Sequence, residues 1–504
     1  MKHIAKKIFA ASAIALLTAC GGGDDDPSVE GDSSGDVVAK YIGTWESDCY
    51  ADSGASAKVR ADFTKTSATS FSGNVVAYGY IGSSCSGPSV KDEKVLTNLS
   101  MNHAGTKAIS GVTADKFNGA ADQGNGKLVM YAHGYGGTGP TVNVSDPPIR
   151  AHLIRNGYAW GASSFSKNYY DVRAGIEDTN ALALAFQSIA AQNGRTLAAP
   201  AKTYIIGTSM GGHIAAAAVD AEAQETANHK VRYHGAVPMC GVLGDTELYN
   251  YFGASQIAAQ QLAGVPATTW PVSNWAEQAP KVRSALFSTF PSVTTPLGDQ
   301  YKEIVKQLTG GERPMFNEGF AGSMNATVWG TFGRDGTVNG ILNREGYDTT
   351  GIVYQFDNDP ALTAAEQSFN QAAFRLKADP EANRLRRDGL RWFPKANARI
   401  SVPVVTIHTL GDVYVPFSME QIYKRRAMAL GTDPWLVQRA IRGVSHCDFT
   451  LDEQTAAFDA MARWEQNGVK PEGDEVLDRA TVADPHYGCK FSSRSRTPNA
   501  CPAS

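Results

Sequence analysis

One stretch of the sequence restricts the possible folds more than any other: TYIIGTSMGGHIAAAAV, at residues 203–219. The strand-forming residues 203–206 lead into Gly207-Thr208-Ser209-Met210-Gly211, and a run of small helix-forming residues follows. Glycines on both sides of Ser209 remove Cβ atoms that would clash in a sharp turn between a strand and a helix. The stretch therefore predicts a turn that lifts the Ser209 hydroxyl above the edge of a sheet.

The segments around this turn predict a mostly parallel sheet covered by helices on both faces. From residue 127 onward, apolar runs typical of buried strands alternate with helical patterns. The strand-like runs are, in chain order, KLVMYAH, GYAWGASSF, TYIIG, RYHGAVPM, VPVVTIHTLGD and LVQRAIRG. This alternation is typical of an α/β domain, which we place at residues 113–504.

A long interval at about 245–400 interrupts the alternation. It contains helical patterns such as DQYKEIVKQLTGG, and a connection of this length without secondary structure is uncommon in a compact domain. We therefore expect a helical lid inserted between two strands of the sheet. Within it, Asp359-Pro360 has the pattern of a helix cap followed by a first-turn proline.

Residues 38–112 predict a separate, small all-β domain. Short runs rich in β-branched and aromatic residues, such as SAKVRADFTKT, are separated by Ser/Gly turns. The runs carry no catalytic cluster. This domain is either a binding or spacer module or a domain that packs against the larger one.

The first twenty residues have the pattern of a bacterial export signal. Lysines precede an apolar run that is too short to span a bilayer stably, and Leu17-Thr18-Ala19-Cys20 resembles a lipobox. A lipobox implies cleavage before Cys20, lipidation of its thiol and a lipid anchor in the membrane; a plain secretory signal is the alternative. Residues 21–37 are rich in Gly, Ser and Asp and predict a flexible tether. In a Gram-negative host, Gly21 directly after the cysteine favours sorting to the outer membrane or cell surface. A location facing the periplasm is the alternative.

An exported chain can form disulfides. Without Cys20, six cysteines remain, and six allow fifteen pairings, which the sequence alone does not decide. Proximity along the chain favours Cys49–Cys85 and Cys489–Cys501. These two pairs would leave Cys240 with Cys447.

A serine is a weak nucleophile unless a base takes its proton and an acid orients the base. The motif around Ser209 predicts that these partners follow in the chain order Ser, Asp, His. Asp412 comes directly after the run VPVVTIHTLG, and His446 lies in the loop after the last predicted strand. We therefore predict that His446 accepts the proton of Ser209 and that Asp412 fixes the tautomer of His446.

Other acids and histidines fit this arrangement less well. Asp245 follows the predicted strand RYHGAVPM and is the second candidate for the acid, whereas Asp448 is too close in sequence to the predicted base. His408 lies inside a predicted strand, where a packed core residue is expected. His133 and His213 flank glycine turns, where a role in orienting the backbone is expected.

A developing oxyanion needs two backbone amides about 3 Å away. Met210, directly after the serine at the start of a helix, is the first predicted donor. The second is expected in HGYGG, residues 133–137, where Tyr135 is preferred and Gly136 is the alternative. The charged segment NYYDVRAGIEDT, residues 168–179, either binds substrate or forms a structural ion pair near a helix start.

Charge and motif content also bear on nucleic acid, metals and cofactors. A net charge of −4 without any basic stripe gives no reason to expect nucleic acid. The sequence has no metal-ligand spacing such as H-E-x-x-H or C-x-x-C and no glycine loop for phosphate, so we expect neither a metal nor another cofactor. The oligomeric state does not follow from these patterns.

Taken together, HGYGG, GTSMGG, GDVYVP and VSHC resemble the motifs of α/β-hydrolases over about residues 127–470, apart from the insertion. The resemblance implies a serine hydrolase that cleaves carboxylic esters through an acyl-enzyme. The large lid suggests bulky substrates, such as aromatic-acid esters or polyester fragments. Two alternatives are a peptidase of the prolyl-oligopeptidase kind and a catalytically inert, surface-binding lipoprotein.

The His446-Cys447 pair is similar to the tannase and feruloyl esterase family. In that family, a cysteine next to the serine is bonded to the cysteine next to the histidine, but here Thr208 precedes the serine. The resemblance suggests that Cys240, at the end of the neighbouring predicted strand, replaces the missing partner. A Cys240–Cys447 disulfide would hold the His446 loop against the sheet.

Overall fold

The computed structural model describes residues 36–52, 55–81, 84–86, 91–109, 112–120, 125–195, 197–322, 328–329, 345–493 and 501. The chain divides into two compact units, Met1–Asn125 and Gly126–Ser504. None of the helices in the described ranges combines the length and the apolar character that crossing a membrane requires. The predicted export signal, with Cys20, and the tether up to residue 35 lie outside the described residues.

The first unit contains an antiparallel sheet that follows a 3₁₀ turn at Ala39–Tyr41. Its strands lie in the order β1-β3-β4-β5-β6, and β2 pairs with β3. Their bounds are β1 (Gly43–Glu46), β2 (Tyr50–Asp52), β3 (Ala55–Ser67), β4 (Ser70–Ile81), β5 (Lys91–Ile109) and β6 (Val112–Ala120).

The small core of this unit lies between β3 and β4. Val59 and Ala61 are buried and stand two residues apart, so they share one face of β3. Across the ladder they pair with Ala77 and Val75, which are also buried. The domain boundary predicted after residue 112 is wrong, because β6 pairs with β5 up to Ala120 and the unit continues to Asn125.

The second unit is built on a parallel sheet in the order β14-β13-β10-β9-β7-β8. Each predicted run coincides with one of these strands, and β9 extends one residue beyond the run TYIIG at each end. A two-stranded hairpin, β11–β12, lies in the insertion. The bounds are β7 (Lys127–Ala132), β8 (Ala159–Ala162), β9 (Lys202–Thr208), β10 (Ala236–Met239), β11 (Phe287–Thr289), β12 (Val293–Thr294), β13 (Val404–Thr409) and β14 (Leu436–Ile441).

Both faces of this sheet are covered, since successive residues of a strand point to opposite faces and here belong to different apolar clusters. Leu128 and Met130 of β7 belong to one apolar cluster, whereas Val129 and Tyr131 belong to another. The described helices are α1 (Arg150–Arg155), α2 (Val172–Gln192), α3 (Met210–Ala218), α4 (Ala221–Thr226), α5 (Glu247–Leu262), α6 (Trp275–Leu286), α7 (Pro296–Leu308), α8 (Phe316–Ala321), α9 (Ala364–Ala372), α10 (Ser418–Leu430), α11 (Leu451–Asn467) and α12 (Arg479–Ala483). A 3₁₀ turn, Asp433–Trp435, precedes β14.

The strand order, the helices on both faces and the serine turn after β9 together define an α/β-hydrolase fold. The predicted fold class is confirmed. Between β10 and β13 the chain leaves the sheet and forms α5 to α9, with α5 buried along most of its length. The interval at about 245–400 is therefore a helical insertion, as expected.

One helix start inside the insertion was predicted wrongly. α9 begins after Thr363, not at Asp359-Pro360. The Thr363 hydroxyl accepts a hydrogen bond from the Glu366 amide at 3.3 Å, and the Glu366 carboxylate accepts from the Thr363 amide at 2.8 Å. This reciprocal pair is a capping box, which provides acceptors for two amides at the helix start.

Candidate active site

Ser209 occupies the turn between β9 and α3 in a strained conformation, with φ of +57° and ψ of −120°. The glycines on either side make this turn possible. A Cβ on Gly207 would lie 2.0 Å from the carbonyl oxygen of Gly211, and a Cβ on Gly211 would lie 1.9 Å from that of Ala132. Any larger residue at either position would displace the backbone, so the turn depends on both glycines, as the sequence indicated.

The structure brings Ser209, His446 and Asp412 into one hydrogen-bonded chain. The Ser209 Oγ lies 2.8 Å from His446 Nε2, and His446 Nδ1 lies 2.5 Å from Asp412 Oδ2. Each residue follows the carboxyl end of a strand of the same sheet: β9, β14 and β13, respectively. Their proximity is therefore a consequence of the parallel sheet.

The hydrogen bonds of Asp412 determine which nitrogen of His446 carries the proton. The carboxylate is fully buried, and its Oδ1 accepts from the amides of Tyr414 and Val415 at 2.9 Å each. Its Oδ2 can only accept from His446, so Nδ1 is the donor. Nε2 is left with a lone pair directed at the Ser209 hydroxyl, which is the arrangement a general base requires.

The second candidate for the acid, Asp245, is engaged elsewhere. Its carboxylate is fully buried and forms an ion pair with Arg426, with 2.6 Å between Oδ2 and Nη1. Oδ1 accepts from the amide and the hydroxyl of Thr246. Asp448, the other rival, accepts from the amide of Val444. Both carboxylates therefore hold loops rather than the imidazole of the base.

The two histidines that flank glycine turns contact the backbone. His213 Nε2 donates to the carbonyl of Pro394 at 2.8 Å, and burial lowers the pKa of His213 to about 4. His133 Nδ1 donates to the carbonyl of Gly134 at 2.7 Å, and its ring stacks on Phe165. Both rings therefore hold backbone segments, and the segment at Gly134 lies beside Ser209.

The segment HGYGG passes directly beside Ser209. A Cβ on Gly134 would lie 3.3 Å from Ser209 Cβ and 3.9 Å from Ser209 Oγ. Tyr135, the preferred second donor, is 41% exposed. Met210 is the first residue of α3, where amides have no partner within the helix. Met210 and the segment that contains Gly134 therefore lie next to Ser209, and the oxyanion role of Met210 and Tyr135 stays a prediction.

Sequence reasoning gave Asn168 no role of its own, yet it supports this loop. Its amide nitrogen donates to the carbonyls of Gly139 at 3.0 Å and Thr141 at 2.6 Å. Asn168 is buried, so these bonds hold the segment that follows HGYGG. A single polar residue in a loop carries no spacing signal, which explains why no pattern indicated this role.

Gly134→Ala is expected to lower the reactivity of Ser209 at least tenfold. The added methyl group would press on Ser209 Cβ at 3.3 Å, and small displacements of reacting groups have large effects on rate. The measurement is kcat/KM on a p-nitrophenyl ester, with the melting temperature as a check on folding. Gly351→Ala is the control, because a Cβ there meets no atom within 4 Å. Equal kcat/KM for both variants would contradict the placement of this loop.

The charged segment 168–179 has structural contacts throughout. Asp171 caps α2, Arg173 donates to the carbonyl of Asp388, and Glu177 accepts from the amides of residues 228–229. These bonds favour the structural interpretation over substrate binding.

All three expected disulfides are bonded in the structure: Cys49–Cys85, Cys240–Cys447 and Cys489–Cys501. Cys240 follows β10 and Cys447 follows His446, with 5.3 Å between their Cα atoms. The Cys447 sulfur lies 3.4 Å from His446 Nε2. The bond therefore ties the loop of the base to a strand next to that of the nucleophile. In the described ranges, Cys240, His446 and Cys447 are also close enough to form a metal site, but the sulfurs are consumed by the disulfide.

Removal of this bond by Cys240→Ser with Cys447→Ser is expected to reduce both stability and rate. The loop it closes has a sequence separation of 207, and disulfides typically contribute about 2–4 kcal/mol, more for longer loops. The rate should fall because the His446 loop loses its anchor. Denaturant unfolding and kcat measure the two effects. The control is Cys489→Ser with Cys501→Ser, which opens a loop with a separation of 12 and should preserve kcat. An unchanged kcat in the first double variant would show that the loop needs no anchor.

No family model matches the chain. An o-phthalyl amidase of Xanthobacter agilis is 25% identical over 136 residues, which cover 25% of this chain and 26% of the amidase. The chain thus matches about a quarter of the length of this relative.

Solved structures resemble the chain weakly. The rice cell wall degrading esterase LipA of Xanthomonas oryzae has a TM-score of 0.32 and 11% identity, over 83% of this chain and 92% of the esterase. Feruloyl esterase B of Aspergillus oryzae has a TM-score of 0.33 and 13% identity, over 85% and 84% of the chains. An acylaminoacyl peptidase of Pyrococcus horikoshii has a TM-score of 0.34 and 8% identity, over 89% and 59%. Scores this low support no conclusion about activity.

Proposed function

We propose that this protein is a serine hydrolase that cleaves carboxylic esters through an acyl-enzyme. One observation carries the proposal: the hydrogen-bonded chain from Ser209 Oγ through His446 to Asp412, with distances of 2.8 and 2.5 Å. A turn that needed only a serine would not require a neutral imidazole and a buried carboxylate in line with it.

The reaction has two steps, formation of the acyl-enzyme and its hydrolysis. Ser209 Oγ attacks the ester carbonyl while His446 Nε2 takes its proton, and Asp412 stabilises the imidazolium. The amides of Met210 and of the segment 134–136 face the oxyanion. Nε2 then gives the proton to the departing alcohol, and a water activated by the same nitrogen releases the acid.

Aromatic side chains beside the base favour a bulky or aromatic substrate. The Tyr414 ring stands edge-on to His446 with 5.6 Å between ring centres, and Phe252 stacks on Tyr414 at 5.4 Å. Phe252 belongs to α5, and the hydroxyl of Tyr251, also in α5, donates to the carbonyl of Val413 beside the acid. The buried residues of the insertion therefore support the half-buried Tyr414 ring, against which the aromatic group of an ester would pack.

Amide hydrolysis is the second candidate, because the same triad attacks amides and the Xanthobacter agilis relative is named an amidase. The two activities are separated by rates on matched p-nitrophenyl esters and aminoacyl-p-nitroanilides. A higher kcat/KM on the esters, together with labelling of Ser209 by a fluorophosphonate, supports the proposal. Labelling with activity only on the anilides would support the amide candidate, and no labelling would favour an inert binding protein.

We further propose that the protein is exported and anchored through a lipid on Cys20. The lipobox-like segment and the three disulfides, which form in oxidising compartments, support this location. Cys20→Ala is expected to abolish incorporation of a labelled fatty acid and to move the protein from the membrane fraction to the soluble fraction. Cys49→Ser, which also removes one cysteine, should keep the label. A soluble parent protein without lipid would contradict the anchor.

A further inference from the structure

A second, fully buried histidine lies behind the acid of the triad. His408 is the fifth residue of β13, and its Nε2 lies 2.8 Å from the carbonyl oxygen of Val415. A carbonyl oxygen can only accept, so Nε2 carries a hydrogen. The same nitrogen is 3.9 Å from Asp412 Oδ2, the oxygen that accepts from His446.

The other nitrogen of His408 faces a second buried carboxylate. Nδ1 lies 3.4 Å from Glu420 Oε1, and the side chains are 0% and 2% exposed. Glu420 Oε2 accepts from the hydroxyl of Thr406 at 2.6 Å and from the amide of Gln438. Two donors on one oxygen are typical of an ionised carboxylate.

These contacts determine the charge of His408. A lone pair on Nδ1 pointed at a carboxylate in a dry interior would be repulsive, and both atoms would lack a hydrogen-bond partner. A proton on Nδ1 removes the repulsion and makes the ring an imidazolium. Burial lowers the pKa of His408, but the adjacent Glu420 and the Asp412 charge outweigh it, so the pKa lies above its usual value.

The charges around this pair balance. Arg313 is buried near the acid, and its Nε donates to the carbonyl of Leu410, two residues before Asp412, at 2.7 Å. With His408 charged, two cations stand against the carboxylates of Asp412 and Glu420. Other titratable groups near these charges are three tyrosines whose pKa values burial raises, Tyr251 of α5, Tyr423 of α10 and Tyr487. Asp474 accepts from the amide opposite His408 on β14, and Glu312, next to Arg313, is paired with Lys306.

We infer that His408, held as an imidazolium by Glu420, is a positioning residue of the triad that balances the charge of Asp412. The inference rests on the proposed function. Without a cation behind it, the pair of carboxylates would favour the protonated form of His446, which cannot accept the proton of Ser209. His408 therefore keeps His446 active at lower pH than Asp412 and Glu420 alone would allow.

The test compares the pH dependence of Ser209 labelling by a fluorophosphonate in three proteins. His408→Gln keeps a donor for Val415 but removes the cation, so the acid limb of the labelling rate should move up by about one pH unit. His408→Gln with Glu420→Gln removes one charge of each sign and should restore the limb of the parent. Because labelling needs only the nucleophile and its base, this readout does not depend on which ester or amide is the substrate.

A role in packing alone predicts a different result. Each substitution would then slow labelling equally at every pH, and the double variant would combine both losses. Either finding would overturn the inference, as would a double variant whose acid limb stays with that of His408→Gln.

A measurement on the parent protein covers the case in which the variants fail to fold. Neutron diffraction at pH 8 is expected to show deuterium on both Nδ1 and Nε2 of His408, but on Nδ1 alone in His446. A bare Nδ1 in His408 would overturn the inference, whether or not the protein hydrolyses esters.

Discussion

Ser209→Ala is expected to lower kcat on p-nitrophenyl esters by about 10⁵- to 10⁶-fold, to the residual rate that binding and the oxyanion donors provide. The methyl group cannot attack the carbonyl, and His446 Nε2 loses the hydroxyl that lies 2.8 Å from it. The measurement is the initial rate at saturating substrate, with fluorophosphonate labelling of the same sample.

Ser445→Ala is the matched control for this variant. Ser445 directly precedes His446 in the sequence and is exposed. The contact described for it is made by its carbonyl oxygen, which accepts from the hydroxyl of Thr409. The control should retain the rate of the parent and its labelling. If Ser209→Ala kept its activity while Ser445→Ala lost it, the nucleophile would have been assigned to the wrong serine.

Asp412→Asn is expected to lower kcat by about 10⁴-fold while the fold persists. The asparagine oxygen can still accept from the amides of Tyr414 and Val415, which now meet Oδ1 at 2.9 Å. Its amide group then donates to His446 Nδ1, so the ring must carry its hydrogen on Nε2. In that tautomer His446 cannot accept the proton of Ser209, and kcat measured between pH 6 and 9 should stay low throughout.

Asp245→Asn separates the two candidates for the acid. Asp245 is buried and paired with Arg426 at 2.6 Å, so its loss should destabilise the protein by about 3 kcal/mol and spare kcat. Denaturant unfolding and kcat of both variants give a two-way comparison. The opposite pattern, with activity lost in Asp245→Asn and stability lost in Asp412→Asn, would exchange the roles of the two carboxylates.

The fold and the triad could be predicted because their signals are local and their topology is restrictive. A serine turn between a strand and a helix fixes where a parallel sheet presents its active edge, and Asp412 and His446 come directly after later strands of that sheet. The domain boundary failed because β6 has no pattern distinct from the connection that follows, and its pairing with β5 decides its length.

Contacts between distant segments could not be predicted. Asn168 bonds a loop about thirty residues earlier in the chain, and His408 faces Glu420 from a different element. The expectation that His408 is a packed core residue is correct about burial, yet it omits a charge that only the partner reveals. The Cys240–Cys447 pair was suggested by a family resemblance, because cysteines 207 residues apart carry no local signal.

The Cys240–Cys447 bond closes a covalent ring that contains the whole helical insertion together with β13 and β14. A peptide bond cut anywhere within the ring leaves both fragments attached to the same molecule. The entropy of ring closure grows only with the logarithm of length, at about 0.6 kcal/mol for each doubling. Evolution can therefore lengthen or shorten the insertion without moving His446 away from Ser209.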